Sequence, residues 1–124
     1  MGASLKSGSM IYNEAYNKII EAYFKDEIKP YDSSFCFCGT LADNTAHWFG
    51  STLGRFHRDY AGYKGLEYLR MERALLDTIQ GANGDYETLL FLGMSAALDV
   101  LKQIHIERGE VIDEVPVFVK RELA

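Results

Sequence analysis

Residues 89 to 110 read LLFLGMSAALDVLKQIHIERGE, and how this run folds decides the architecture. At helical spacing Leu90, Met94, Ala97, Leu101 and Ile104 fall on one face, and the first half is apolar nearly all round. A helix of that kind is buried on several sides, so the run predicts a central helix with the other elements packed about it. Asp85, closing the turn "ANGD", predicts its N-cap, and Gly109 its stop.

Working outward, "GLEYLRMERALLDTIQG" repeats the helical period through Leu66, Leu69 and Leu76 and through Tyr68, Met71, Leu75 and Ile79, with Gly81 placed as a C-terminal cap. From Ile11 to Ile28 the residues Ile11, Tyr12, Ala15, Tyr16, Ile19, Ile20, Tyr23 and Phe24 form an amphipathic stripe, and Lys29 before Pro30 ends it. Residues 31–64 stay open, because "SFCFCG" alternates like a strand while the longer run serves equally as short helices broken by glycine. "EVIDEVPVFVKREL" adds a short edge strand or an extended tail, since Pro116 removes a ladder donor. The expected fold is all-α: three to four main helices in a bundle around the central apolar C-terminal helix, in one domain over residues 10–124, with residues 1–9 a flexible leader set outside it.

Composition narrows the function classes. A chain of 124 residues with 48% apolar side chains fits one globular core. Thirteen basic against eighteen acidic groups, net −5, argue against a nucleic-acid backbone as main partner. The longest apolar run falls short of the roughly 20 residues of a membrane span, and no apolar signal core opens the chain. Two cysteines one residue apart suit a reducing compartment, because an i to i+2 bridge fits disulfide geometry poorly. A cytoplasmic chain with no membrane contact is expected.

Those cysteines sit in "PYDSSFCFCGTL", residues 30 to 41. A helix beginning near Ser33 or Ser34 would put Cys36 in its first turn, where unpaired N–H groups lower a thiol's pKa. His47 or His105 would then be the base and Asp32 the orienting carboxylate of a cysteine nucleophile. No local signature singles that set out, and free cysteines beside Phe35 and Phe37 read first as small buried hydrophobes, since free cysteine is among the most buried residue types. No metal or cofactor is expected: Cys36, Cys38, His47 and His57 lack the spacings of a zinc site. "GSTLG" lacks the lysine of a phosphate loop. Glu67, Glu72, Glu107 and Glu110 read as solvated helix faces and termini. A histidine such as His105 is ordinarily solvated or at a helix end, where its cation suits the dipole.

"AHWFG" and "RFHRDYAGY" gather aromatic and basic groups, and Trp48, Phe49, Arg55, Phe56, His57, Arg58 and Tyr60 form the candidate binding surface. Aromatic and arginine side chains are what interface hot spots use. From Ser51 to Arg73 five basic residues stand against three acidic ones, a surplus too slight for a phosphate track. The other reading of these rings is a cap on a small helical core. Exposed, they would mark a protein interface, a homodimer included.

Two resemblances bear on function. The order "NEAYNKIIEAYFKDEIKPYDSSFCFCGTL", a gap, and "LLFLGMSAALDVLKQIHIERGE" resembles a family of small uncharacterised helical proteins of phages and mobile elements of gut bacteria. The matching positions are Pro30, Tyr31, Asp32, Cys36, Phe37, Gly39, Leu41, Ile104, His105, Gly109 and Glu110, at both ends of the chain and not in its middle. The family pattern often carries a further cysteine where this chain has Ser34. The resemblance implies a phage or mobile-element origin and brings no activity. "CFCGTL" also resembles the nucleophile helix of papain-like cell-wall amidopeptidases, whose histidine lies on a sheet strand that this chain offers little room for after Cys36. The leading expectation is an accessory protein that acts by binding a protein partner. The alternative is a papain-like cysteine hydrolase with Cys36 as nucleophile.

Overall fold

The computed structural model describes residues 10–46, 56, 59–60, 69–114 and 116–122. The fold is helical, with α1 (Tyr12–Phe24), α2 (Phe37–Leu41), α3 (Leu69–Gly81) and α4 (Tyr86–Glu107) in chain order. α4 is the centre: Leu90, Met94, Ala97, Leu101 and Ile104 are buried as their spacing requires, and Leu89, Gly93, Leu98 and His105 widen the buried band to a second side. Asp85 is its N-cap, its Oδ2 accepting from Thr88 N at 3.0 Å while its Oδ1 accepts from Thr88 Oγ1 at 2.9 Å. By length and composition this 22-residue helix is apolar enough to cross a membrane, with half of its most apolar window buried inside the protein.

α3 and α4 form a close antiparallel hairpin. Gly93 makes the closeness possible, because a Cβ built there would lie 2.8 Å from Leu75 Cδ1 and 2.9 Å from the Leu75 carbonyl oxygen. Gly81 does not cap α3 from outside as its position suggested. It is the helix's last residue, and the left-handed glycine of the connection is Gly84, at φ 151°.

α1 ends earlier than the Pro30 reading predicts. Its last turn closes on Asp26, held at φ 59°, with Asp26 N donating to Tyr23 O at 3.1 Å and Glu27 N to Ala22 O at 2.8 Å. That hydrogen-bond pair is the Schellman arrangement, here built with aspartate where glycine is usual. The side chains Tyr12, Ala15, Tyr16, Ile19, Ala22 and Tyr23 face the core as the stripe requires.

α4 ends on the same device. Gly109 stands at φ 99°, Gly109 N donates to Ile106 O at 3.0 Å and Glu110 N to His105 O at 3.1 Å. The chain then turns back along α1 and α4. Tyr16 Oη donates to Pro116 O at 3.1 Å, Phe118 packs against Tyr23 and Phe91 at ring separations of 5.0 Å, and Arg121 reaches Glu87 at the far end of α4. From Glu87 to His105 the helix rises about 27 Å. Eleven residue steps from Glu110 to Arg121 cover at most about 40 Å, enough for this strap to make the return. No strand is present among the described residues, so the edge-strand alternative is not realised there.

Arg121 anchors the strap. Its guanidinium lies 4.7 Å above the Tyr23 ring, donates to Glu87 Oε1 and Oε2 at 3.0 and 2.7 Å and to Asp26 Oδ1 at 3.0 Å, and also meets the Tyr23 carbonyl. Four acceptors around a guanidinium that is 5% exposed tie the strap to α1 and α4 at once.

Gly93→Ala is expected to destabilise the fold by about 1–3 kcal/mol, the usual cost of forcing volume into a packed contact. Gly81→Ala, where a Cβ meets nothing within 4 Å, is expected to be neutral or slightly stabilising. Urea unfolding midpoints of the two variants check this.

Candidate functional site

The cysteine segment is a tight turn running into a short helix. Asp32 N donates to Lys29 O at 3.0 Å, Lys29 N to Phe35 O at 2.7 Å and Cys36 N to Asp32 O at 2.7 Å. These bonds hold Cys36 in extended backbone, and its thiol becomes the N-cap of α2, accepting from Gly39 N at 3.3 Å and donating to Ser33 O at 3.7 Å. Only glycine fits at position 39, since a Cβ there would lie 2.6 Å from the Ser34 carbonyl carbon.

From α3, Glu72 reaches over this turn and its Oε1 accepts from Cys38 N at 3.1 Å. Glu72 is 8% exposed, and Cys36 and Cys38 are 2% and 0%. A helix N-terminus lowers a thiol's pKa, but α2 has five residues and that pull loses to desolvation and to the carboxyl group alongside. Burial and then Glu72 push the Cys36 thiol up to about 12 and the Cys38 thiol well above its ordinary value. Both are protonated at neutral pH. Burial also raises the Glu72 carboxyl, against the pull of the Cys38 N–H, and its Oε2 is buried with no hydrogen-bond partner.

The second buried polar group is built on His105, in the last turn of α4 and 0% exposed. Its Nε2 lies 2.9 Å from Tyr60 Oη and its Nδ1 lies 2.8 Å from Glu110 Oε1. One arrangement satisfies all three neutral-state needs: Tyr60 O–H donates to Nε2, and Nδ1–H donates to the Glu110 carboxylate. The same carboxylate accepts the first N–H of α1, from Tyr12 at 3.1 and 3.0 Å to its two oxygens, where Ile11 supplies no side-chain cap. Burial lowers the His105 pKa, outweighing the Glu110 hydrogen bond that raises it, with the Arg108 charge acting in the same direction as burial. Arg108 stands 5.6 Å above the Tyr60 ring. Burial raises the Tyr60 hydroxyl strongly and the Tyr12 hydroxyl to about 12. Beside them Asp59 Oδ2 accepts from Met10 N at 2.9 Å.

The catalytic set read from the sequence is not assembled among the described residues. Both ring nitrogens of His105 are engaged by Tyr60 and Glu110 rather than by Cys36, and Cys36 spends its hydrogen bonds on its own turn. Asp32 is exposed, its Oδ1 accepting from Ser34 N at 2.9 Å. His105 is at a helix end as expected but is buried rather than solvated. Of the candidate binding surface, Phe56 and Tyr60 are 2% and 1% exposed and belong to the core, their rings 5.2 Å apart, because their large apolar area gains more from burial there than at the surface. His47, Trp48, Phe49, Arg55, His57 and Arg58 lie outside the described residues. Among the described residues no group of three histidine, cysteine, aspartate or glutamate side chains is placed to hold a metal ion.

Glu72 and Glu110 are the groups that the reading as solvated carboxylates missed. The signals were present: Glu72 lies three and seven residues before Leu75 and Ile79 on their buried stripe, and Glu110 follows the glycine whose Schellman turn folds it back onto His105. No protein-family model matches the chain, and no curated protein or solved structure matches it.

The two sites titrate with opposite sign. A buried His105 with a lowered folded-state pKa contributes stability that is complete above the unfolded value of 6.5 and declines as pH falls toward the folded value. Glu72, with a raised folded-state pKa, contributes below its unfolded value of 4.5 and loses that contribution as pH rises through the folded value. Glu72→Gln is therefore expected to match the parent at low pH and to exceed it increasingly as pH rises, in urea midpoints measured across the range. Tyr60→Phe, which strands His105 Nε2 without a donor, is expected to cost about 1–3 kcal/mol at pH 8.

Proposed function

We propose that this chain is a small helical accessory protein of the kind found in phages and mobile elements, working in a bacterial cytoplasm by binding a protein partner. One contrast supports the reading: the groups able to do chemistry are sealed together in the core, while large apolar side chains remain outside. Cys36, Cys38, Glu72 and His105 are all at most 8% exposed, whereas Tyr31 is 69%, Tyr86 49% and Phe24 47% exposed.

These three rings belong to one end of the bundle. Phe24 ends α1 with its ring 5.2 Å from Tyr23, Tyr86 opens α4, and Tyr31 accepts from Gln80 near the end of α3 at 3.3 Å. Tyr86 lies within electrostatic reach of Tyr31, Glu87, Arg121 and Asp26. Exposed tyrosines beside an arginine and carboxylates supply the amphipathic contact area on which protein interfaces concentrate their energy. A cysteine hydrolase would need an accessible thiolate at Cys36, and burial and the Glu72 carboxyl weigh against that.

In the folded protein both thiols are expected to resist iodoacetamide from about pH 5 to 9 and to label only on unfolding, read by mass spectrometry. Rapid labelling of Cys36 would overturn the binding reading in favour of the hydrolase. A Tyr31→Asp, Tyr86→Asp double variant is expected to keep its thermal midpoint and lose a partner that the parent retains from host extract.

A further inference from the structure

Residues 82–85, between Gly81 at the end of α3 and Tyr86 at the start of α4, are all exposed. Gly84 stands there at φ 151°, a backbone conformation that L side chains rarely adopt, so the turn between the helices requires glycine at this position. The residue before it is Asn83. Neither the Asn83 side-chain amide nor the Gly84 N–H makes a hydrogen bond among the described residues. An asparagine amide free to rotate can meet the backbone nitrogen of the next residue, and at glycine no Cβ shields that nitrogen.

We propose that Asn83 is a site of spontaneous modification, losing its amide to the backbone nitrogen of Gly84. That nitrogen gives up its proton and bonds to Asn83 Cγ, the Cγ–Nδ2 bond breaks, and ammonia leaves carrying the proton. The product is a five-membered succinimide. Water then opens the ring on one of two sides. Cleavage at Cγ gives aspartate, and cleavage at the backbone carbonyl carbon gives isoaspartate, in which the main chain runs through Cβ and Cγ. Each other asparagine lacks one of the conditions. Asn13 and Asn17 lie inside α1 and precede Glu14 and Lys18, while Asn44 precedes β-branched Thr45 and ties its Nδ2 to Ser34 O at 3.3 Å.

A carboxylate at position 83 lies two residues before the Asp85 N-cap, on the side of α4 where negative charge is favoured, and an exposed connection tolerates a longer main chain. The modified chain therefore stays folded, with a net charge one unit more negative than −5. The new charge falls at the end of the bundle that carries Tyr31 and Tyr86, so an old chain presents a different surface there from a new one.

The test incubates the full chain, folded and in guanidinium chloride, in mildly acidic and mildly alkaline buffer. Digestion and mass spectrometry follow, with fragmentation that separates isoaspartate from aspartate. Conversion of amide to acid is expected at Asn83 ahead of Asn13, Asn17 and Asn44, with isoaspartate beside aspartate, and faster in alkali because the attacking nitrogen must lose its proton. The folded rate should lie within about tenfold of the unfolded rate, since no opening of the structure precedes the reaction. Asn83→Gln, which would have to close a six-membered ring, should keep its amide over the same period. A folded rate more than about tenfold below the unfolded one overturns the proposal, as does conversion led by another asparagine or acid formed as aspartate alone. No partner enters this readout, so its outcome is independent of the binding reading.

Discussion

The carboxylate of Glu110 holds two helix ends together. It accepts the first backbone N–H of α1, a position with no cap of its own, and it fixes the imidazole that closes the last turn of α4. Negative charge at a helix N-terminus is favourable, and here the charge arrives from the other end of the chain. It is delivered by backbone geometry, because Gly109 in the left-handed region turns Glu110 back over His105. Tyr60 then completes the imidazole's hydrogen bonds from the far side. The direction of α1, the rotation of α4 and the start of the strap all follow from this one side chain.

The cysteine segment shows the same economy in a different chemistry. A thiol stands where serine or aspartate would ordinarily cap a helix, and a carboxyl group from α3 takes the next backbone N–H. Burial disfavours the charged form of all three groups, and the Glu72 carboxyl pushes both thiols further up while their contacts pull its own pKa back down. What looks in the sequence like the start of a nucleophile helix is a joint between α2 and α3.

The parts of the fold legible in the sequence were those set by local periodicity and by glycine. The apolar band of α4, its Asp85 cap and its Gly109 stop are all local facts, and so is the stripe of α1. The end of α1 was not legible, because Asp26 adopts a backbone conformation that composition assigns to glycine. The polar cores were not legible either. Whether Glu72 faces water or two thiols depends on a turn about thirty-five residues earlier in the chain, and no helical pattern records that distance. The sequence groups Tyr60 with a surface patch because its neighbours there are basic, while its neighbours in space are His105, Phe56 and Met10.

The strap also fixes an order of events during synthesis. Its contacts lie on Tyr16, Tyr23, Glu87 and Phe91, all made earlier on the ribosome, and Arg121 closes them. Helices emerging first can pair locally within α3 and α4, but α1 gains its cap and its lateral cover only after Glu110 and the residues beyond it leave the exit tunnel. Until then the aromatic flank of α1 is open to chaperones or to a neighbouring nascent chain. The strap therefore acts as a latch, closing over helices that were made before it.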